Sequence, residues 1–142
     1  MKEFDVKEFN RLCAELLGYV NTTPTDKDFN IHEHPETKKM IETNFTNVFT
    51  EDWNWIMQVV EKIESLIVAG VEESRNLELE EVEWSFTFEI NGKQCMINRD
   101  CSPQFWGTSS DFLKLYSCEN KSKKESVVKA IWQFLNWYEK NK

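Results

Sequence analysis

The stretch WSFTFEINGKQCMINR, residues 84–99, decides the fold class of this chain. Its first half alternates large apolar with polar side chains, the apolar ones being Trp84, Phe86, Phe88 and Ile90. A period of two is typical of a β-strand with one buried face. Asn91-Gly92 is the pair favoured in a two-residue type I′ turn, so the stretch predicts a β-hairpin. That turn sets Phe88 opposite Cys95 and Phe86 opposite Ile97. Since opposed residues share a face, these side chains form one apolar surface.

Two capping boxes predict an N-terminal and a C-terminal helix. In DVKE, Asp5 is placed to accept a hydrogen bond from the Glu8 backbone, and Ser122 has the same place in SKKE. Gly18 supplies a stop for the first helix. The core stripe of the last helix consists of Val127, Val128, Ile131, Leu135 and Tyr138.

A middle helix is predicted over EDWNWIMQVVEKIESL, residues 51–66. Thr50 is a suitable N-cap, and Gly70 a suitable C-terminal stop. Trp53 lies three residues before Ile56 and is expected in the core, whereas Trp55 lies on the flank and is expected at the boundary. The apolar stripe consists of Ile56, Val59, Val60, Ile63, Leu66 and Ile67.

Length and element order predict one α+β domain of 142 residues. Residues 20–50 form an irregular insertion with room for a short helix over residues 36–44, and FLKLYS, residues 112–117, is a weaker strand. We expect three main helices packed on a small antiparallel sheet built around the hairpin, as a layered α/β sandwich. The polar second face of the hairpin suits water better than a second helical layer. Two arrangements are left open, a sheet covered on one face and a sheet covered on both.

The composition excludes several classes of function. A net charge of -8 argues against direct nucleic-acid binding and against an anionic membrane surface. The N-terminus has no apolar signal stretch, so we expect a cytoplasmic protein with free thiols, among which Cys13 and Cys95 suit a core.

The sequence contains few residues that suggest a catalytic or metal-binding site. His32 and His34 form an HxH pair, but nothing nearby supplies further metal ligands, so a solvated loop is expected. Cys101, beside Arg99, is the one plausible reactive thiol, because a neighbouring cation lowers a thiol pKa. We expect no metal, no cofactor and no catalytic residue, and a thiol-dependent enzyme is the weakest alternative.

Two features suggest the binding of another protein. The loop of residues 100–111 carries Phe105 and Trp106, which either tuck under the sheet edge or form an exposed anchor; Arg99 and Trp55 are further candidates. An acidic connector sets Glu72, Glu73, Glu78, Glu80, Glu81, Glu83 and Glu89 against the cation Arg75. This connector is either a solvated edge or a mimic of nucleic-acid charge that occupies the basic groove of a protein.

Three segments together resemble a known family. FNRLCAELLGY, DWNWIMQVVEKIESL and KKESVVKAIWQFLNWYEK are similar to segments of the small phage and prophage proteins grouped as the phage ABA sandwich domain. The resemblance covers roughly half the chain and implies an α/β/α layered unit. It implies no catalytic residue, because that family has no assigned activity. With the missing catalytic signature, it leads us to expect a cytoplasmic accessory protein that binds another protein.

Overall fold

The protein is described from a computed structural model, which covers residues 3–26, 28, 30–73, 79–102, 112–119 and 122–141. Within these ranges it contains four helices and two antiparallel sheets, so the predicted α+β class is confirmed. The helices are α1 (Val6–Leu16), α2 (Val48–Glu51), α3 (Trp53–Ser65) and α4 (Lys123–Asn141). The chain divides into two compact units, Met1–Lys62 and Ile63–Lys142. The single domain stays a prediction.

Helix α1 begins and ends where the sequence predicts. The Asp5 carboxylate accepts hydrogen bonds from the backbone N–H groups of Lys7 (3.0 Å) and Glu8 (3.3 Å). Gly18 has a φ of 94°, a left-handed conformation that costs glycine little. Its N–H donates to Glu15 and the next N–H, of Tyr19, donates back to Ala14, which is the Schellman pattern of a helix end.

A three-stranded sheet lies in the segment predicted to be irregular. Its strands, in the order β1-β2-β3, are β1 (Val20–Asn21), β2 (Ile31–Glu33) and β3 (Met40–Glu42). The predicted helix over residues 36–44 is wrong, because a turn joins β2 to β3, with the His34 N–H donating to the Lys39 carbonyl (2.8 Å). Strands of two or three residues are too short to show an alternation in the sequence.

The middle helix starts later than predicted. Residues 48–51 form the separate helix α2, and Asp52, with extended backbone, interrupts the helical path. The Asp52 carboxylate accepts from the Asn54 N–H (2.9 Å), so Asp52 caps α3 and the predicted cap Thr50 belongs to α2. Helix α3 ends at Ser65, which leaves Ile67 outside it and exposed, and the predicted stop Gly70 lies in a strand.

The second unit contains a four-stranded antiparallel sheet. In the order β4-β5-β6-β7, its strands are β4 (Val68–Glu73), β5 (Leu79–Asn91), β6 (Gln94–Ser102) and β7 (Phe112–Glu119). Strand β7 confirms the weaker predicted strand. Strand β4 and the start of β5 replace the predicted acidic connector, and Glu72 is the backbone partner of Glu80 in this ladder. Glutamate is depleted in strands and like charges repel across a ladder, so the sequence favours a connector at this point.

The hairpin exists, but its predicted turn is wrong by one residue. Asn91 pairs with Gln94, which leaves Gly92 and Lys93 in the turn. Gly92 has a φ of 58°, whereas neither Asn91 nor Lys93 has a positive φ, as expected for a type II′ turn with glycine first. Each residue of β5 therefore pairs two positions further along β6 than predicted, so Phe88 faces Ile97. A shift of two preserves the faces, and the predicted apolar face is confirmed, with Phe86, Cys95 and Ile97 buried.

Helix α4 packs on that apolar face. The ring of Phe134 meets the ring of Phe86 edge to face, with centroids 4.9 Å apart. Ser122 caps the helix as predicted, its hydroxyl accepting from the Glu125 N–H (3.1 Å). Trp137, which lies off the predicted stripe, also contacts Phe86, at 5.6 Å between centroids.

The pairing of β4 with β5 ends at Val68 and Trp84. Among the described residues, the rest of β5 pairs only with β6. The Phe88 N–H, on the unpaired edge, donates to the carboxylate of Glu64 near the end of α3 (3.1 Å). The Glu64 side chain thus accepts a hydrogen bond from a backbone N–H that faces away from the paired strand β6.

Candidate partner-binding residues

Of the two tryptophans of α3, Trp55 lies at the boundary of the buried face as predicted, whereas the predicted core position of Trp53 is wrong. Trp55 is half-buried, and its ring meets Phe49 edge to face at 5.4 Å and Tyr19 at 6.2 Å between centroids. Trp53, predicted to be core, is 38% exposed. At about 100° per residue, Trp53 lies roughly 70° to one side of the centre of the buried arc and Trp55 roughly 90° to the other. That arc consists of Ile56, Val59, Val60 and Ile63.

An exposed apolar pair follows from this arrangement. Trp53 and Met57 are four residues apart, so their side chains are neighbours on the helix surface, and both are more than a third exposed. Asp52, directly before Trp53, and Glu61, four residues after Met57, are exposed too. We call these four residues the α3 surface. Apolar residues outside the helical stripe are the sequence signal of such a surface. Trp53 lies so close to the stripe that the pattern assigns it to the core.

Arg99 is held against the sheet. Its guanidinium lies over the ring of Trp84, 4.1 Å from the centroid, within the range of a cation–π contact. The ring of Trp137 lies 5.9 Å from that of Trp84, and Gly70 faces Trp84 so closely that a Cβ there would lie 2.6 Å from the indole. Arg99 therefore has a structural contact, which makes it a weaker candidate for a partner than the sequence suggests.

The remaining predicted candidates are only partly placed. Phe105 and Trp106 lie outside the described residues. Cys101 is opposite Trp84 on β6, and the apolar thiols of Cys13 and Cys95 are buried, as predicted. Burial raises the pKa of the Cys13 thiol, which disfavours the reactive thiolate.

The acidic segment presents part of its charge on one strand face. Glu81, Glu83 and Glu89 occupy odd-numbered positions of β5, on the face opposite Phe86, and all three are exposed. The Asn98 amide donates to the Glu89 carboxylate (3.2 Å). Glu78 lies outside the described residues.

The predicted solvated loop around the histidines is wrong. His32 lies on β2 with 0% exposure, and its Nδ1 is 3.3 Å from the Thr43 hydroxyl. Asn10 of α1 is equally buried, and its amide nitrogen donates to the carbonyls of Thr43 (3.1 Å) and Thr46 (2.9 Å). We call Asn10, His32 and Thr43 the buried polar cluster. No pattern in the sequence indicates this cluster, because Asn10 lies in α1, His32 in β2 and Thr43 just after β3.

The electrostatics of His32 follow from that burial. Loss of hydration lowers the pKa of its imidazole from 6.5; Glu15 opposes this shift and Arg11 adds to it. His34 lies just beyond β2, and its Nδ1 accepts from the N–H groups of Glu36 and Thr37, at 3.2 Å each. Among the residues that the structure describes, no group of three His, Cys, Asp or Glu could hold a metal ion.

Comparisons with known proteins add no identity. Set against protein families, curated proteins and solved structures, the chain matches none of them. No helix in the described ranges combines the length and the apolar character needed to cross a membrane.

Proposed function

We propose that the protein is a cytoplasmic accessory protein of phage or prophage type that acts by binding another protein and catalyses no reaction. The exposure of Trp53 and Met57 is the observation that carries this proposal. Tryptophan is enriched among the residues that dominate binding energy at protein interfaces, and isolated exposed apolar residues are common enough to need no partner. Trp53 and Met57, in contrast, are neighbours on one face of α3.

The surroundings of this pair suggest the chemistry of the partner. Both carboxylates of the α3 surface, those of Asp52 and Glu61, are exposed. Lys62 lies roughly 180° from Trp53 around the helix and does not offset them. Opposite charges at the edge of an interface guide encounter and orientation, so the matching surface is an apolar pocket with lysine or arginine at its margin.

The test compares truncation of Trp53 with truncation of another exposed apolar residue, Met40. Tagged wild-type protein is used to isolate its partner from host lysate, and the affinity of the purified partner is then measured for the Trp53→Ala and Met40→Ala variants. Met40 is 68% exposed on another element, so its truncation controls for loss of an exposed apolar group. Trp53→Ala should weaken binding by about 30-fold or more and Met40→Ala by less than about twofold. Equal affinities for both variants would remove the α3 surface from the proposal.

The Phe105–Trp106 loop is tested in the same assay. If the loop is the anchor, Trp106→Ala weakens the complex and Trp53→Ala does not. That result would leave protein binding in place and move its site.

A nucleic-acid mimic is the second candidate, favoured by the exposed Glu81, Glu83 and Glu89 on one face of β5. Contacts through exposed charges are screened over about 8–10 Å at physiological salt, so such binding should fall steeply as salt is added. Reversal of the three glutamates to lysine should abolish it, while Trp53→Ala has little effect. Binding that resists both salt and charge reversal would exclude the mimic.

For the architecture, we propose the layered sandwich of the phage ABA family, with the three main helices on the hairpin sheet. The packing of α4 on the apolar face of that sheet supports one of its layers. An experimental structure that placed another helix away from the sheet would contradict the family assignment.

A further inference from the structure

We propose that the buried polar cluster makes the first unit sensitive to protons: neutral His32 keeps the three-stranded sheet closed on α1, and protonation of its ring opens this unit. The proposal is independent of any partner. It rests on the burial and the hydrogen bonds of Asn10, Thr43 and His32.

The cluster links α1 to the sheet through few bonds. The Asn10 amide of α1 donates to the carbonyls of Thr43 and Thr46, just after β3. The Thr43 hydroxyl in turn lies beside the Nδ1 of His32 on the central strand β2. Thr43 also bonds through its backbone N–H to the Asn30 carbonyl (3.0 Å), beside the start of β2. A change at His32 therefore acts through Thr43 on the segment after β3 that Asn10 of α1 binds.

The protonated ring has no favourable place in this arrangement. An imidazolium donates from both ring nitrogens, and only the Nδ1 side has a hydrogen-bonding neighbour, the Thr43 hydroxyl. Within the described part of the chain, the buried Nε2 of His32 has no hydrogen-bond partner, and neither has the Asn10 side-chain oxygen. A buried charge with an unsatisfied N–H destabilises the closed state, and opening to water relieves both costs.

The charged groups near His32 do not compensate that charge. From α1, Glu15 favours the charged ring and Arg11 disfavours it, and these two residues are paired with each other at 2.9 Å. From β3, Glu42 is opposite Ile31 rather than His32, and its carboxylate accepts from the backbone N–H groups of Asn44 and Phe45. Burial is the largest cause of the low pKa of His32, ahead of both charges.

The direction of the pH effect follows. Above pH 6.5 the ring is neutral in the folded and the unfolded chain, and the contribution of His32 is fully present. As the pH falls below that value, the unfolded chain binds a proton that the folded unit refuses, because the folded pKa is lowered. Stability is therefore lost on acidification, down to the folded pKa.

Two variants separate this effect from general acid sensitivity. The chain has only 2 histidines, so His34→Gln is the matched control for His32→Gln. The unfolding equilibrium constant is measured for each by denaturant titration at about pH 7.5 and about pH 5.5. Between these two pH values, the unfolding equilibrium constant should rise more in the wild type and in His34→Gln than in His32→Gln. The difference should be a factor of up to about ten. An equal rise in all three proteins, or a rise lost only in His34→Gln, overturns the proposal.

If His32→Gln does not fold, proton NMR on the wild type tests the same proposal. The His32 ring signal, identified by its presence in His34→Gln, should titrate with a midpoint below 6.5. Amide exchange at residues 31–33 and 41–43, corrected for its intrinsic pH dependence, should quicken as the ring titrates, while α4 keeps its protection. A midpoint at or above 6.5, or amide protection that ignores the titration, refutes the proton-sensitive opening.

Discussion

Replacing Gly70 with alanine tests the packing of the four-stranded sheet most directly. An alanine Cβ would lie 2.6 Å from the Cε2 and Cζ2 atoms of Trp84 and 2.8 Å from its Cη2. Carbon atoms in contact prefer about 3.5–4.0 Å, so the indole must move by roughly 1 Å. The guanidinium of Arg99 and the ring of Trp137 limit that movement.

The size of the effect can be worked from two opposing terms. Overpacking a tight site costs about 1–3 kcal/mol. Gly70 does not have a positive φ, so alanine meets no backbone strain and recovers about 0.4–1 kcal/mol from the less flexible unfolded chain. The Gly70→Ala variant should therefore lose about 1–2 kcal/mol of unfolding free energy, a rise of roughly 5–30-fold in the unfolded fraction.

The assay is chemical denaturation followed by tryptophan fluorescence, in single and double variants. Trp84→Phe removes part of the indole that the new methyl group meets, so Gly70→Ala should cost clearly less in that background. Ala69→Ser, an exposed neighbour, is the control and should change stability by less than about 0.5 kcal/mol. A Gly70→Ala variant as stable as the wild type, or an equal cost in both backgrounds, would refute the close approach of Trp84.

Three further changes test separate elements. Asp5→Ala should lower the unfolding free energy by about 1 kcal/mol through loss of the α1 cap, and Asp5→Asn should retain most of it; equal losses in denaturant titrations would count against the cap. Gly92→Val should lower the unfolding free energy by at least about 1–2 kcal/mol, because the φ of Gly92 is 58°. Asn91→Gly should not raise the unfolding free energy, because the φ of Asn91 is negative; a gain in stability would indicate a type I′ turn instead. Arg99→Met should cost about 0.5–1 kcal/mol by loss of the contact with Trp84, and an unchanged midpoint in the same titration would remove that contact from the account.

The parts of the fold that could be predicted have local causes. Asp5 and Ser122 cap their helices because a short polar side chain reaches backbone N–H groups two or three residues ahead. The apolar face of the hairpin depends only on the period of two. Moving the turn from Asn91-Gly92 to Gly92-Lys93 shifts every partner by two residues and leaves each side chain on its face, so the pattern could not distinguish the two registers.

The parts that could not be predicted depend on distant contacts. Trp53 and Trp55 lie at the two margins of one buried arc, and the position of Phe49 and Tyr19 beside Trp55 decides which of them is covered. The burial of His32 depends in the same way on α1 and on the residue after β3. Neither arrangement leaves a periodic signal in the sequence, so the α3 surface and the buried polar cluster could be found only in the folded chain.

The bond from Phe88 to Glu64 has a consequence for association between molecules. An open strand edge is a template on which another chain can add a strand, and soluble proteins guard such edges with charge. The Glu64 carboxylate already takes one of the donors that an incoming strand would need, and the newcomer would have to displace it and bury its charge. The end of α3 thus acts as a gatekeeper against edge-to-edge aggregation at a point where β4 no longer protects β5.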